Sequence, residues 1–234
     1  MTVKPEPSRR FVQGVYAGLP VAIGYVPIAI AYGALGVASG LTWWHTVLMS
    51  LLVFAGASQF MAVGMLAAGA GALQIVIATF VLNFRHLIMS LSLFDRLRSF
   101  PAGKRVAAAL GVTDETFAVL VVRAADEARK PTPRFVFGTM ITAYLAWVLG
   151  SLIGAVFAEF IPANISAGMS VALYAMFIAL LMPAVRGSAW AALTAVTAMA
   201  LCYGFNQFLA SGWSIVCATL VAAFIGPLQQ MGRD

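Results

Sequence analysis

The sequence has very little charge. Asp, Glu, Lys and Arg make up 9% of its 234 residues, whereas soluble domains carry roughly 25%. Four stretches contain no charged residue at all: 11–84, 135–158, 160–185 and 187–232. A helix needs about 20 apolar residues to cross the hydrocarbon of a bilayer. The deficit therefore excludes a mainly soluble protein and predicts one that lies within a lipid bilayer.

Other features that are missing narrow the class further. The apolar stretches lack the alternation of membrane β-strands, so they predict an all-α, polytopic helical membrane protein. The sequence has only two cysteines and two histidines: Cys202, Cys217, His45 and His86. No glycine-rich phosphate loop or nucleophile elbow is present either. We therefore expect no catalytic residues, no metal, no cofactor and no enzymatic activity.

The apolar stretches predict six or seven spanning segments in one transmembrane domain, 11–234, after a cytoplasmic tail at 1–10. The domain divides into a first helical group at 11–94, a basic region at 95–134 with a short apolar segment at 106–122, and a second helical group at 135–229. Spanning segments are expected at about 11–38, 43–66 and 72–94 in the first group, and at about 135–158, 168–185, 187–208 and 212–229 in the second.

The net charge of +6 indicates topology. There is too little soluble protein to build a nucleic-acid-binding face, whereas Lys and Arg mark the cytoplasmic side of membrane segments. This rule places the N-terminus, the basic region and the C-terminus, with Arg233, in the cytoplasm. Three crossings in the first group would put the basic region outside. Either the N-terminus is outside, or one segment is broken or re-entrant.

We favour a broken or re-entrant segment. Pro20, Gly24, Pro27 and the run 54–59 all weaken helix continuity. Irregular backbone at membrane depth is tolerated only where protein or a water-filled cavity satisfies it. The first half is therefore the expected home of a transport pathway.

Two adjacent carboxylates, Asp114 and Glu115, interrupt the apolar segment 106–122. Ionisable groups at membrane depth are costly and mark candidate functional sites. The pair could present a carboxylate to a cavity, where it would take up a proton or bind an ammonium group. Alternatively it could lie in the first turn of a cytoplasmic helix that is capped by Thr113. Both interpretations stay open on the sequence alone.

Two further polar groups interrupt the first helical group. Arg85 could hold a carboxylate, although snorkelling to the interface is favoured because other arginines follow, and His86 could titrate near neutral pH. Ser58 and Gln59 lie among small residues, as in an opened helix that binds a zwitterion; bonding to a neighbouring helix is the alternative.

Several of these motifs occur together in one known family. The sequence resembles the AzlC/YgaZ family of branched-chain amino acid exporters over roughly residues 10–230, and the motifs occur in the same order as in that family. The resemblance rests on these stretches: 18–33 with Gly24-Tyr25-Val26-Pro27, 53–60, Leu82-Asn83-Phe84-Arg85-His86-Leu87, 113–117 and, less specifically, 175–180.

The resemblance implies export of valine, leucine, isoleucine and, as a further candidate, methionine from the bacterial cytoplasm. It also implies a small AzlD/YgaH-like membrane subunit as partner. We expect proton coupling at Asp114 or Glu115 and a carboxylate or gating contact at Arg85 and His86. The expected substrate-binding residues are Gly24, Tyr25, Pro27, Gly56, Ala57, Ser58, Gln59 and Asn83. A non-transporting scaffold or regulatory subunit, and a passive channel, are the alternatives.

Overall fold

The computed structural model describes residues 7–94, 97–125, 131–160, 185–209 and 211–223, with four isolated positions between 175 and 182. This part of the chain is helical and contains no strand. A short 3₁₀ helix (Ala158–Phe160) follows the seventh of its nine α-helices. The α-helices are α1 (Pro7–Ala38), α2 (Trp43–Leu52), α3 (Gly56–Ala67), α4 (Ala72–Phe94), α5 (Ala102–Leu110), α6 (Asp114–Ala125), α7 (Pro133–Val156), α8 (Ala189–Phe205) and α9 (Ser211–Ala223).

Three of these helices are long and apolar enough to cross a membrane: α1, α4 and α7. They coincide with the predicted segments 11–38, 72–94 and 135–158, which confirms an all-α membrane protein. Shorter apolar helices occupy the predicted segments 43–66, 187–208 and 212–229. Most of segment 168–185, the first six residues and everything after residue 223 lie outside the described residues. The number of crossings in the second group stays a prediction.

The expected interruption of the first segment is wrong. Helix α1 continues from Pro7 to Ala38 with Pro20 and Pro27 inside it. Prolines are tolerated in membrane helices where neighbouring protein supports the weakened backbone. That neighbour is α7, which forms with α1 the most extensive helix pair of the described structure.

Glycines allow α1 and α7 to pack backbone against backbone. Gly14 lies against Phe135, Gly18 against Thr139, and Gly33 against the 151–155 stretch of α7. A Cβ atom at any of the three glycines would collide with the backbone of α7, so this close approach requires glycine. Residue numbers rise together along both helices, which shows that α1 and α7 run parallel.

The second predicted segment, 43–66, folds into a re-entrant hairpin. Tyr32 of α1 contacts both arms: its hydroxyl donates to the Thr46 carbonyl of α2 (3.3 Å), and its ring lies 5.5 Å from that of Phe60 in α3. Phe54, between the two arms, packs against Tyr25, two turns nearer the start of α1. Both arms therefore reach the C-terminal end of α1, and the tip at 53–55 lies near its middle. The predicted interruption at this place is confirmed.

The second hairpin, α5–α6, enters from the opposite end of α1. Arg105 of α5 lies over the ring of Phe94, where α4 ends, and Arg123 of α6 lies over Phe135, where α7 begins. The tip at 111–113 instead reaches Tyr25, whose hydroxyl contacts Thr113. Helix α4 lies beside both hairpins, and α9 packs against α4 and α8. The two tips thus meet at the level of Tyr25.

Candidate functional site

A small polar cavity lies where the two hairpin tips meet. Its volume is about 30 Å³, enough for one or two water molecules and far below the roughly 300 Å³ of a small ligand pocket. The site is therefore closed to an amino acid in this conformation. The lining residues come from five helices and both tips: Tyr25, Phe54, Ala55, Gly56, Ala57, Arg85, His86, Thr113, Asp114, Glu115 and Trp147.

The second tip carries a capped helix start. The Thr116 amide donates to Thr113 Oγ1 (3.3 Å), and the Thr113 amide donates to Thr116 Oγ1 (2.8 Å). The carboxylates of the first turn nevertheless face the interior, since the Tyr25 hydroxyl lies within donating distance of Glu115 Oε2 (2.5 Å) and Thr113 Oγ1 (2.7 Å). Both features expected as alternatives are present together: a helix cap and carboxylates that line a cavity.

An ion pair closes the side of the cavity formed by α4. Arg85 Nη1 lies 3.0 Å from Asp114 Oδ2, and the two side chains are 33% and 28% exposed. The expected snorkelling of Arg85 to the interface is therefore wrong, because the hairpin tip supplies a carboxylate at the same depth. His86 lines the cavity beside this pair.

Two helices begin at the cavity. Helix α6 starts at Asp114, and α3 starts at Gly56 without a side-chain cap at Ala55. Backbone N–H groups at a helix start carry partial positive charge and favour anions. Gly56 also lies against Trp147, where a Cβ atom would come within 2.6 Å of the indole ring. The α3 start thus lacks a side-chain cap, lies close beside Trp147 and is electrostatically suited to a carboxylate.

Behind the cavity wall, a closed ring of hydrogen bonds holds α2, α3 and α7 together. The Trp147 indole donates to Gln59 Oε1 (2.8 Å), and Gln59 Nε2 donates to Ser50 Oγ (3.0 Å). Ser50 donates to Ser151 Oγ (2.8 Å), which donates back to the Trp147 carbonyl (2.8 Å). All four residues are buried. The ring therefore fixes Trp147, which forms part of the cavity lining.

The predicted site residues fall into three places. Tyr25, Gly56, Ala57, Arg85, His86, Asp114 and Glu115 line the cavity. Ser58, Gln59 and Asn83 lie behind the lining: Ser58 donates to the Ala55 carbonyl (2.8 Å) and accepts from Asn83 Nδ2 (3.1 Å). Gly24 and Pro27 are exposed on the outer face of α1. Among the described residues, no group of three or more His, Cys, Asp and Glu could hold a metal ion.

The comparisons with known proteins identify the family of this chain. A family model described as AzlC protein matches residues 20–161, a range that contains both hairpins and every residue of the cavity lining. The chain belongs to the AzlC family. Curated AzlC relatives extend the match: the sequence is 30% identical over 224 residues, 94% of both chains, to an uncharacterized membrane protein of Archaeoglobus fulgidus.

Two relatives carry more informative names. The sequence is 31% identical over 156 residues to the inner membrane protein YgaZ of Escherichia coli. This match covers 66% of this chain and 64% of YgaZ. It is 26% identical over 196 residues to the branched-chain amino acid transport protein AzlC of Bacillus subtilis, which covers 82% of this chain and 76% of that protein. None of the solved structures matches the chain.

Sequence reasoning singled out neither Trp147, which lines this AzlC-family site, nor Ser50 and Ser151, which support it from behind. Trp147 lies in a charge-free segment, where it looks the same as any tryptophan that packs against lipid or a neighbouring helix. Ser50 and Ser151 are single hydroxyl groups in apolar helices, and such groups normally bond to their own helix. Only the hairpin brings Ser50 to within 2.8 Å of Ser151. The sequence offered one signal for these residues: polar side chains occur at a similar depth in several apolar segments, which indicates that they could bond to one another.

Proposed function

We propose that this chain exports branched-chain amino acids, with valine, leucine and isoleucine as substrates and methionine as a further candidate. The observation that carries the proposal is the cavity at the meeting point of two oppositely directed hairpins, which combines an ion pair with two helix starts. The name of the Bacillus subtilis relative, a branched-chain amino acid transport protein, supports the substrate class.

The zwitterionic end of the substrate inserts into the Arg85–Asp114 pair. Its carboxylate binds Arg85 and the start of α3 at Gly56, and its ammonium group binds Asp114 or Glu115. In the closed state the two side-chain charges neutralise one another across 3.0 Å. When substrate binds, its carboxylate replaces Asp114 as the partner of Arg85, and its ammonium group replaces Arg85 as the partner of the acidic side chain. Neither side chain is therefore left without a counter-charge during the exchange. Opening then requires the α5–α6 hairpin to move away from α4.

The apolar side chain of the substrate occupies a neighbouring cavity. This second space is an apolar groove of about 310 Å³ between the two hairpin tips and α7, with Met140 in its wall and the exposed Leu52 and Leu110 at its rim. Phe54 lines both this space and the polar cavity. A rotation of Phe54 would therefore join them into a pocket with one polar end and one apolar end, which suits a branched-chain amino acid.

Asp114 or Glu115 carries the coupling proton, because these are the acidic groups of the cavity lining. The orientation follows from the basic residues: both termini and the 95–134 region lie in the cytoplasm. The similarity to YgaZ, an inner membrane protein, supports an inner membrane location. Helix α4 is the least covered of the three long helices, and its open surface is where a small AzlD/YgaH-like subunit would bind.

Counterflow of labelled leucine in proteoliposomes, with and without an imposed proton gradient, tests this function. Asp114→Asn and Glu115→Gln are compared with the unaltered chain, and Glu159→Gln, an exposed carboxylate on the 3₁₀ helix, is the matched control. We expect one cavity variant to lose gradient-driven efflux while the control keeps it. Unchanged efflux in both cavity variants would remove proton coupling from these residues.

The same vesicles separate the alternatives. Each preparation is measured with this chain alone, with the small subunit alone and with both together. Flux that ignores the proton gradient would identify a passive channel. Transport by the small subunit alone, together with unchanged transport by the pair when this chain carries Arg85→Gln, would identify a scaffold or regulatory role.

A further inference from the structure

A third cavity lies between the last turns of α4 and helix α5. It has a volume of about 360 Å³ and shares no lining residue with the polar cavity. Its wall is almost entirely apolar, with Leu91, Phe94, Leu97, Val106 and Val112 among its larger side chains. Several of these are exposed at the rim, including Leu91 at 62% and Val106 at 65%. The cavity is therefore an apolar groove that is open at the protein surface.

Arg105 is the charged residue among the described residues that line this apolar groove. The guanidinium of Arg105 lies 4.4 Å from the centre of the Phe94 ring. Its Nε atom is buried and has no hydrogen-bond partner among the described residues. Among the described residues, no acidic side chain lines the cavity. A buried donor without a partner is costly, and a guanidinium is the side chain best suited to phosphate. An anion at this place would give the donor an acceptor and the guanidinium a counter-charge.

The groove has a polar end and an apolar end. Arg105 lies beside Phe94, the last residue of α4, and follows Lys104, which is exposed. Val112 lies seven residues further along the hairpin, at its tip. At 1.5 Å per helical residue, the groove extends roughly 10 Å deeper than the guanidinium. The cation therefore lies towards one end of the groove, and apolar surface continues from it towards the hairpin tip.

We propose that this groove binds an anionic phospholipid, with its phosphate on Arg105 and one acyl chain between α4 and α5. Basic pockets between membrane helices on the cytoplasmic side are suited to such headgroups. The lipid fills the space between a spanning helix and the arm of a re-entrant hairpin, and it gives Arg105 Nε an acceptor. It therefore holds the α5–α6 hairpin against α4.

Native mass spectrometry of the full chain in mild detergent tests this proposal without reference to transport. The chain is incubated with phosphatidylglycerol or with phosphatidylcholine of the same acyl chains, and the retained lipid is counted. We expect selective retention of phosphatidylglycerol. Arg105→Gln should reduce that retention about tenfold, the loss expected when a charge-assisted hydrogen bond is removed.

Two further variants make the result specific. Arg123→Gln is the matched control, because Arg123 also lies over a phenylalanine ring and has a buried Nε without a partner among the described residues, but it does not line this groove. It should retain lipid normally. Ala109→Phe, which fills the groove without changing charge, should lower retention even if Arg105→Gln fails to fold. Equal retention of both lipids, equal loss in the two arginine variants, or displacement by inorganic phosphate alone would each overturn the proposal.

Discussion

The Arg85–Asp114 ion pair lends itself to a double-mutant cycle. The variants are Arg85→Gln, Asp114→Asn and the combination of both; each removes charge and leaves a polar amide, which has the shape of the original side chain at Asp114 and is shorter than it at Arg85. The pair joins α4 to the tip of the second hairpin across 3.0 Å. Its coupling energy therefore reports how firmly the hairpin is held in the closed state.

The structure bounds the size of this coupling. At 3.0 Å and an effective dielectric constant of 20, Coulomb attraction between unit charges is about 5 kcal/mol before desolvation. Exposed pairs retain about 0.2–1 kcal/mol, and loss of one partner from a buried pair costs about 3–5 kcal/mol. Both side chains are roughly one-third exposed, so we expect a coupling of about 2 kcal/mol. For a chain of this length, that lowers Tm by about 4–8 °C.

The assay is thermal unfolding in detergent, followed by the fraction of folded protein that survives size-exclusion chromatography. Each single variant should lower Tm by about 4–8 °C. The double variant should fall little further, because either change already removes the pair. Glu159→Gln serves as a charge-removal control and should leave Tm unchanged. Additive losses in the double variant, or single variants as stable as the unaltered chain, would show that the pair does not hold the hairpin.

Three other predictions address separate parts of the structure. Gly33→Ala should lower Tm by several degrees, because its Cβ atom would meet the α7 backbone; Gly24→Ala on the same helix, with no neighbour within 4 Å, should raise Tm slightly. Gln59→Leu breaks the closed ring of hydrogen bonds and should cost about 1–3 kcal/mol, measured by the same unfolding assay. Tyr25→Phe removes the hydroxyl that contacts Thr113 and Glu115 and should slow leucine counterflow about tenfold, the loss expected for one hydrogen bond to a charged group, whereas Tyr16→Phe, at an exposed position, should not.

The sequence predicts the spanning helices well because each must satisfy its backbone within its own segment. Helix α4 matches the expected 72–94 at both ends, and α7 begins two residues before the expected 135. Proline rules drawn from soluble helices predicted a break in α1, and these rules fail here because α7 supports that stretch throughout.

The shape of the second segment and most of the cavity could not be read from local sequence. The interruption at 53–55 follows from the composition of the 54–59 run, but its hairpin geometry depends on Tyr32, which contacts both arms. Asp114 and Glu115 stand out as charges at membrane depth. Their partners do not, because Arg85 and Tyr25 lie 29 and 90 residues earlier and no local pattern links them.

The closed ring of hydrogen bonds has a consequence for how the protein is made. The hydrogen bond between Gln59 and Trp147 joins residues 88 positions apart, and the one between Ser50 and Ser151 joins residues 101 positions apart. Neither bond can form until the later residue has been synthesised. Ribosomes add roughly 5–20 residues per second, so the first hairpin exists for about 5–20 s before its partners emerge. During that interval its polar groups need water or the insertion machinery as temporary acceptors and donors. Once α7 is inserted, Trp147 and Ser151 replace these temporary hydrogen-bond partners, and the first hairpin can then pack in its final position.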